Sequence, residues 1–138
     1  MEDQITYRTE SNLALAEFRE LLIASTLGER RPVDDDERLA RMVAHASLIV
    51  TARHGATLVG VARSLSDFSF ATYLSDLAVR LDYQKRGIGK ELIRRTKWAA
   101  PQAKLILLAA PAAIPYYPHI GMTHYEYCYY LNDADALR

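Results

Sequence analysis

Cys128 is the sequence's one cysteine, so no disulfide can form within the chain and its 138 residues must rely on packing. Half of the residues are hydrophobic, enough at this length to bury a core without a structural metal. No apolar run approaches the roughly 20 residues of a membrane-spanning helix, and the opening MEDQITYRTE is too polar for a signal peptide. A cytoplasmic protein that does not enter a membrane is therefore expected. Net charge is missing too: 17 Lys plus Arg balance 17 Asp plus Glu, which argues against a general binder of nucleic acid or anionic membranes. Repeats, low-complexity tracts and internal linkers are also lacking, and one domain over residues 1–138 is the expectation.

What charge there is lies unevenly. Six basic residues (Lys85, Arg86, Lys90, Arg94, Arg95 and Lys97) stand against Glu91 alone, while Asp34 to Glu37 concentrate the opposite sign. The acidic run suits a helix start, where carboxylates face the positive end of the macrodipole.

The hydrophobic pattern gives the order β, α, α, β, β, β, α, β, α, β, an α/β protein. Ile5 to Thr9 reads as a strand, with Ser11 or Asn12 as the cap of a helix whose stripe is Ala14, Phe18, Leu21, Leu22 and Ser25. Leu39, Met42, Val43 and Ala46 mark a second helix, and a hairpin turns at Gly55. ATYLSDLAV is the next strand. Gly89, Leu92, Ile93, Thr96 and Ala100 form the buried side of a helix that Pro101 ends, with Lys90, Arg94 and Lys97 on its solvated side. KLILLAA reads as a central strand covered on both faces. A short helix over PAAIPYYPHIG and a Tyr-rich strand, MTHYEYCYYL, complete the chain; such a strand, if exposed, suits pairing across a homodimer two-fold.

The stretch DLAVRLDYQKRGIGKEL joins a strand to a helix through a glycine turn. Successive amides in such a turn face one concavity, and the helix dipole favours an anion there. The P-loop needs four residues between its glycines and Ser or Thr after Gly-Lys, but Glu91 follows Lys90; the dinucleotide fingerprint needs a third small residue where Leu92 stands.

Gln84-Lys85-Arg86-Gly87-Ile88-Gly89 instead resembles the Gln/Arg-x-x-Gly-x-Gly/Ala signature of the GCN5-related N-acetyltransferases (GNAT). TLVGVARSLSD is similar to the family's third strand and YLSDLAV to its fourth, and Tyr116-Tyr117-Pro118-His119-Ile120-Gly121-Met122 is similar to its FY-x-x-x-Gly-Phe signature. The resemblance covers almost the whole chain. It implies a mixed central sheet flanked by helices, with a splayed notch after the fourth strand for acyl-coenzyme A.

It further implies acetyl-coenzyme A as acyl donor, no metal, and a primary amine, small molecule or peptide, as acceptor. Cofactor binding falls to Gln84, Lys85, Arg86, Gly87, Ile88, Gly89 and Lys90 around the pyrophosphate, and to Leu77, Ala78 and Val79 along the pantetheine, with the Val79 amide at the thioester carbonyl. Tyr117 matches the residue that protonates the departing thiolate. Many relatives carry Glu on the fourth strand, but Ser75 stands at the matching position and Asp76 beside it. Strand alternation places those two on opposite faces, and Asp76 is either a general base or a buried carboxylate holding a neighbouring loop. His119, His124 and Glu126 are lesser candidates, and Ala110 replaces an Asn that in many relatives bonds the pantetheine. The alternative to an enzyme is a non-catalytic coenzyme A-binding or interaction module on the same fold.

Overall fold

The computed structural model describes residues 4–138. The chain divides into two compact units with the boundary between Leu108 and Ala109.

The first unit holds β1 (Ile5–Thr9), α1 (Leu15–Ala24), α2 (Asp36–Ala44), β2 (Leu48–His54), β3 (Thr57–Ser66), β4 (Ala71–Val79), α3 (Ile88–Ala99) and β5 (Lys104–Ile106). They form an α/β fold around one five-stranded mixed sheet in the order β1-β2-β3-β4-β5. The first four strands are antiparallel neighbours and β5 joins β4 in parallel. A parallel pair needs a crossover, and α3 supplies it.

Apolar residues on alternate strand positions cover the sheet on both faces. Phe18, Leu21 and Leu22 of α1 and Leu39 of α2 pack with Ile49, Leu58, Val61 and Ala78 on one side; Ile88 and Leu92 of α3 pack with Val50, Ala52, Val59, Ala62 and Leu74 on the other. Each fully buried Leu or Phe contributes about 1.5–3 kcal/mol. Gly60 lies beneath α3, where a Cβ would stand 3.0 Å from Leu92 Cδ1 and 3.2 Å from Ile88 Cγ2. The missing side chain lets the start of the helix sit close on β3.

Three expectations change. The helix cap is Ala14, with no side-chain cap bond from Ser11 or Asn12, and Leu13 is the buried residue there. At α2 the acidic run does mark the helix start, and Asp35 also caps it by accepting the Arg38 amide at 3.0 Å. The KLILLAA run is not a central strand: β5 spans three residues at the sheet's edge, and a continuous apolar run marks a central strand only where neighbours flank it.

In the second unit, α4 (Tyr116–His119) lies between two 3₁₀ turns, Pro111–Ala113 and Ala134–Ala136. The Tyr-rich segment 122–131 forms no strand. Tyrosine favours a strand only when a neighbouring strand supplies the ladder, so the edge imagined for dimer pairing is not built.

Candidate active site

β4 pairs with β3 from Thr72 to Val79 but meets β5 only from Ala71 to Tyr73. From Leu74 onward its β5-side edge is open. The pairing passes from Arg63↔Asp76 to Ser64↔Leu74, so Ser75 is an extra, bulged residue at the point where the two strands part. The notch anticipated after the fourth strand is this separation.

The direction of the Val79 amide follows from its neighbour. Arg80 N–H bonds to Val59 C=O of β3 at 2.9 Å, and adjacent strand residues point their backbone groups to opposite edges. Val79 and Leu77 therefore present N–H and C=O to the open edge, and Ala78 faces β3. Gln84 Nε2 donates to Val79 C=O at 3.0 Å, tying the following turn to the strand end.

In that turn Lys85 has φ +65° and Gly87, the α3 N-cap, φ +82°. Left-handed positions alternating with ordinary ones curl the backbone so that amides converge. The first intrahelical bond at the cap is Glu91 N–H to Gly87 C=O at 3.0 Å, so the amides of Ile88, Gly89 and Lys90 have no acceptor within the helix. Arg86 lies over the Tyr83 ring, 4.8 Å from its centroid, and Tyr83 Oη is 2.5 Å from His54 Nδ1. Farther along, Arg94 and Arg95 pair with Glu91, while Lys97 donates to the Pro101 and Ala103 carbonyls at 2.9 and 2.6 Å. These three serve the helix, and the donors left without a helical acceptor at its start are the backbone amides.

The structure corrects the alternation expected at Ser75 and Asp76. The bulge brings both side chains to one guanidinium: Arg63 donates through Nε to Asp76 Oδ2 and through Nη2 to Ser75 Oγ at 3.0 Å. Asp76 Oδ1 takes Arg31 Nε, and Arg31 Nη2 bonds Ser75 C=O at 2.8 Å. Asp76 is fully buried. With each carboxylate oxygen in an ion pair, of the two roles foreseen for Asp76 the geometry favours holding a loop over accepting an amine proton. Arg63 and Arg31 escaped the sequence reading. A lone arginine inside the apolar TLVGVARSL was a usable signal, because a buried guanidinium requires a partner; nothing local marked Arg31.

The acidic run is occupied locally. Asp35 caps α2, Asp36 pairs with Arg19, and Glu37 with Arg41.

In the second unit the Tyr116 and Tyr117 rings meet edge-on, 5.2 Å apart at 73°. Tyr117 C=O accepts Met122 N–H at 3.0 Å, closing a turn in which Gly121 has φ +103°. Burial, and secondarily Tyr116, pushes the Tyr117 phenol above its usual value, so it is a proton donor at neutral pH. His119, His124 and Glu126 are exposed. Among the described residues no group of three or more His, Cys, Asp or Glu is placed to hold a metal.

Beside this open β4 edge and glycine-capped helix start stands a family match: the model for the acetyltransferase (GNAT) domain fits residues 25–127. The chain belongs to the GNAT family. A curated relative, an uncharacterized N-acetyltransferase (ycf52) of Gracilaria tenuistipitata var. liui, is 30% identical over 97 residues, covering 67% of this chain and 48% of its own. The chain thus spans about half the length of that relative. Among solved structures, a GNAT-family acetyltransferase of Streptococcus pneumoniae superposes with a TM-score of 0.76 at 22% identity, over 94% of this chain and 98% of its own. Aminoglycoside N-acetyltransferase AAC(6')-Iy in complex with CoA gives 0.72 at 15%, over 95% of each chain. This GNAT fold contains no described helix long and apolar enough to cross a membrane.

A second ion cluster ties the first unit together away from the notch. Arg53 reaches Glu10 with Nε and Nη2 at 2.8 and 3.0 Å, and Glu17 with Nη1 and Nη2 at 2.8 and 3.1 Å. The Arg53 hydrogen bond is the main reason the Glu10 carboxyl falls from an ordinary 4.5 to about 2. A carboxyl depressed on folding stabilises the fold above its unfolded value and loses that contribution as pH falls through the folded one. Denaturant unfolding should therefore show stability declining from about pH 4.5 toward about 2, and Glu10→Gln should flatten that decline; an unchanged acid limb in the variant would remove Glu10 from the account.

Proposed function

We propose that this chain transfers an acetyl group from acetyl-coenzyme A to a primary amine, small molecule or peptide, by direct attack in a ternary complex, and that residues 1–138 work as one N-acetyltransferase domain. The observation that carries the reading is the open β4 edge at Leu77 and Val79 leading directly into the left-handed turn at Lys85 and Gly87. The family match, which runs across the boundary between the two units, supports treating them as one domain.

The residues suit the donor. Pyrophosphate oxygens need several converging N–H groups, and the turn and helix start at residues 85–90 supply them with a favourable dipole. Lys85, Arg86 and Lys90 add positive charge, and Gln84 holds the turn to β4. The pantetheine runs past Leu77, Ala78 and Val79 as an added strand, pairing with the backbone groups of Leu77 and Val79 while those of Ala78 stay with β3. The Leu77 N–H, the outward-facing donor farther from the phosphate turn, and not the Val79 N–H beside that turn, then meets the thioester oxygen, where one such donor is typically worth about 3 kcal/mol in the transition state.

The amine nitrogen attacks the thioester carbon, the C–S bond breaks, and the amine's proton passes to solvent. Tyr117 donates its phenolic proton to the departing sulfur and regains one from solvent after release, and burial keeps that proton in place at neutral pH before transfer. An amine with pKa about 10 is mostly protonated at pH 7, so turnover rises with pH as the free amine becomes available. Asp76 is assigned no proton transfer. That same absence of an unoccupied β4 carboxylate favours the second reading, a coenzyme A-binding module without turnover.

Tyr117→Phe separates the two readings. It should lower kcat on the order of a hundredfold and leave acetyl-coenzyme A affinity, read by calorimetry, nearly unchanged. Wild-type rates in Tyr117→Phe would remove the acid assignment, and tight binding by wild type with no turnover on any amine would favour the module.

A further inference from the structure

Arginines on either side of the phosphate turn rest on carboxylates: Arg80 on Glu20, and Arg94 and Arg95 on Glu91. Arg86, inside the turn, does not. Among the described residues it has no acidic partner, and its guanidinium lies over the Tyr83 ring, 4.8 Å from the centroid. The difference matters for charge. A carboxylate would fix the guanidinium and also cancel it, whereas an aromatic face attracts the cation through the ring quadrupole, leaves its positive charge in place and keeps the N–H groups of its rim available. The neighbours of Arg86, Lys85 and Gly87, are both left-handed, so the direction in which its side chain leaves the backbone is set by the turn.

Tyr83 is itself braced on three sides. It ends the 3₁₀ turn Leu81–Tyr83, where its N–H donates to Arg80 C=O at 2.9 Å. It packs, half-buried, against the core that contains Ile88 and Leu92 of α3. Its hydroxyl lies 2.5 Å from Nδ1 of His54 at the end of β2, and the two rings meet edge-on at 71° with centroids 5.6 Å apart. The far end of the ring is thus tied to the sheet, and a face of it is given to Arg86.

We propose that Tyr83 is a positioning residue whose ring holds the Arg86 guanidinium, its charge uncancelled, at the turn to take a phosphate oxygen of the coenzyme. The proposal rests on the coenzyme A reading of the turn. Coenzyme A offers phosphate oxygens from two sources, its pyrophosphate and its ribose 3′-phosphate, and a guanidinium fork suits either. Tyr83 acts through Arg86 and makes no contact of its own with the coenzyme.

The test is calorimetric titration with coenzyme A and with 3′-dephospho-coenzyme A, in wild type, Arg86→Met, Tyr83→Leu, Tyr83→Phe and the double variant Tyr83→Leu/Arg86→Met, with Tm measured for each. Arg86→Met should weaken coenzyme A binding on the order of tenfold; the loss extends to the dephospho form if the pyrophosphate is the contact and is confined to coenzyme A if the 3′-phosphate is. Tyr83→Leu should cost about three- to fivefold on its own, but less than about twofold in the Arg86→Met background, the non-additivity of a residue that acts through another. Tyr83→Phe keeps the ring face and should bind within about twofold of wild type. Unchanged affinities in Arg86→Met overturn the proposal. So does a loss from Tyr83→Leu that is equal in both backgrounds, or one that Tyr83→Phe shares along with a fall in Tm, because packing alone would give either. Wild type that binds coenzyme A but acetylates no amine fails the transfer reading only, whereas wild type that binds neither ligand fails the turn reading and this proposal together.

Discussion

Asp76→Asn is expected to destabilise the fold by about 3–5 kcal/mol, the usual cost of removing one partner from a buried ion pair. The residue is fully buried and receives a guanidinium on each oxygen. The amide that replaces it carries no charge and turns donors toward arginines that are themselves donors only. Arg63, nearly buried, is left uncompensated. Substituting Asp76, Arg63 and Arg31 together by apolar residues of similar volume should recover much of the loss, because the desolvation cost of all three charges disappears with them. Urea unfolding of the single and triple variants checks both statements. A change under about 1 kcal/mol for Asp76→Asn, in the range of a surface substitution, would show that the cluster does not carry the stability assigned to it.

At the other end of β4, Gly87→Val should weaken acetyl-coenzyme A binding by tenfold or more with a smaller effect on stability. Open space is not the obstacle, since a Cβ at Gly87 would meet nothing within 4 Å. Backbone angle is: φ there is +82°, and a β-branched residue pays about 1–3 kcal/mol to occupy the left-handed region. Escaping that strain means rotating the peptide and turning the helix-start amides away from their common focus. Calorimetric titration of the variant reads the loss directly, and undiminished affinity would show that the turn does not hold the nucleotide. Lys85 sits in the same region of backbone space at φ +65°, so Lys85→Gly keeps the turn and should cost binding only the side chain's charge, a smaller loss than in Gly87→Val.

The parts of the fold legible in the sequence were those governed by local rules. The glycines of Gln84 to Gly89 announced a turn before a helix, though not that Lys85 as well as Gly87 would be left-handed, and the hairpin at Gly55, with φ +62°, was visible because glycine accepts that angle. The stripes of α1, α2 and α3 followed from helical spacing, except that Ala14 is exposed at the cap of α1 while Leu13 is buried, and that Ile88, at the first position of α3, was overlooked. Contacts between distant segments were not legible. Arg31 and Asp76 are 45 residues apart, and nothing in YLSDLAV signals that Ser75 bulges and brings its side chain to the arginine that also holds Asp76. The last Tyr-rich segment failed for a related reason: propensity described the residues, but a strand also needs a partner edge. The notch itself was visible through the resemblance of the two motifs, whereas its physical cause, three residues of β4–β5 pairing on a strand of nine, appears only in the structure.

The most direct test of acetyl transfer is thiol release from acetyl-coenzyme A across a panel of polyamines, arylalkylamines, amino acids, aminoglycosides and peptide N-termini, with mass analysis of the products. Amine-dependent thiol release, matched by a product heavier by one acetyl group, is the predicted result. Tight coenzyme A binding with thiol release no faster in the presence of any amine than in its absence would contradict it.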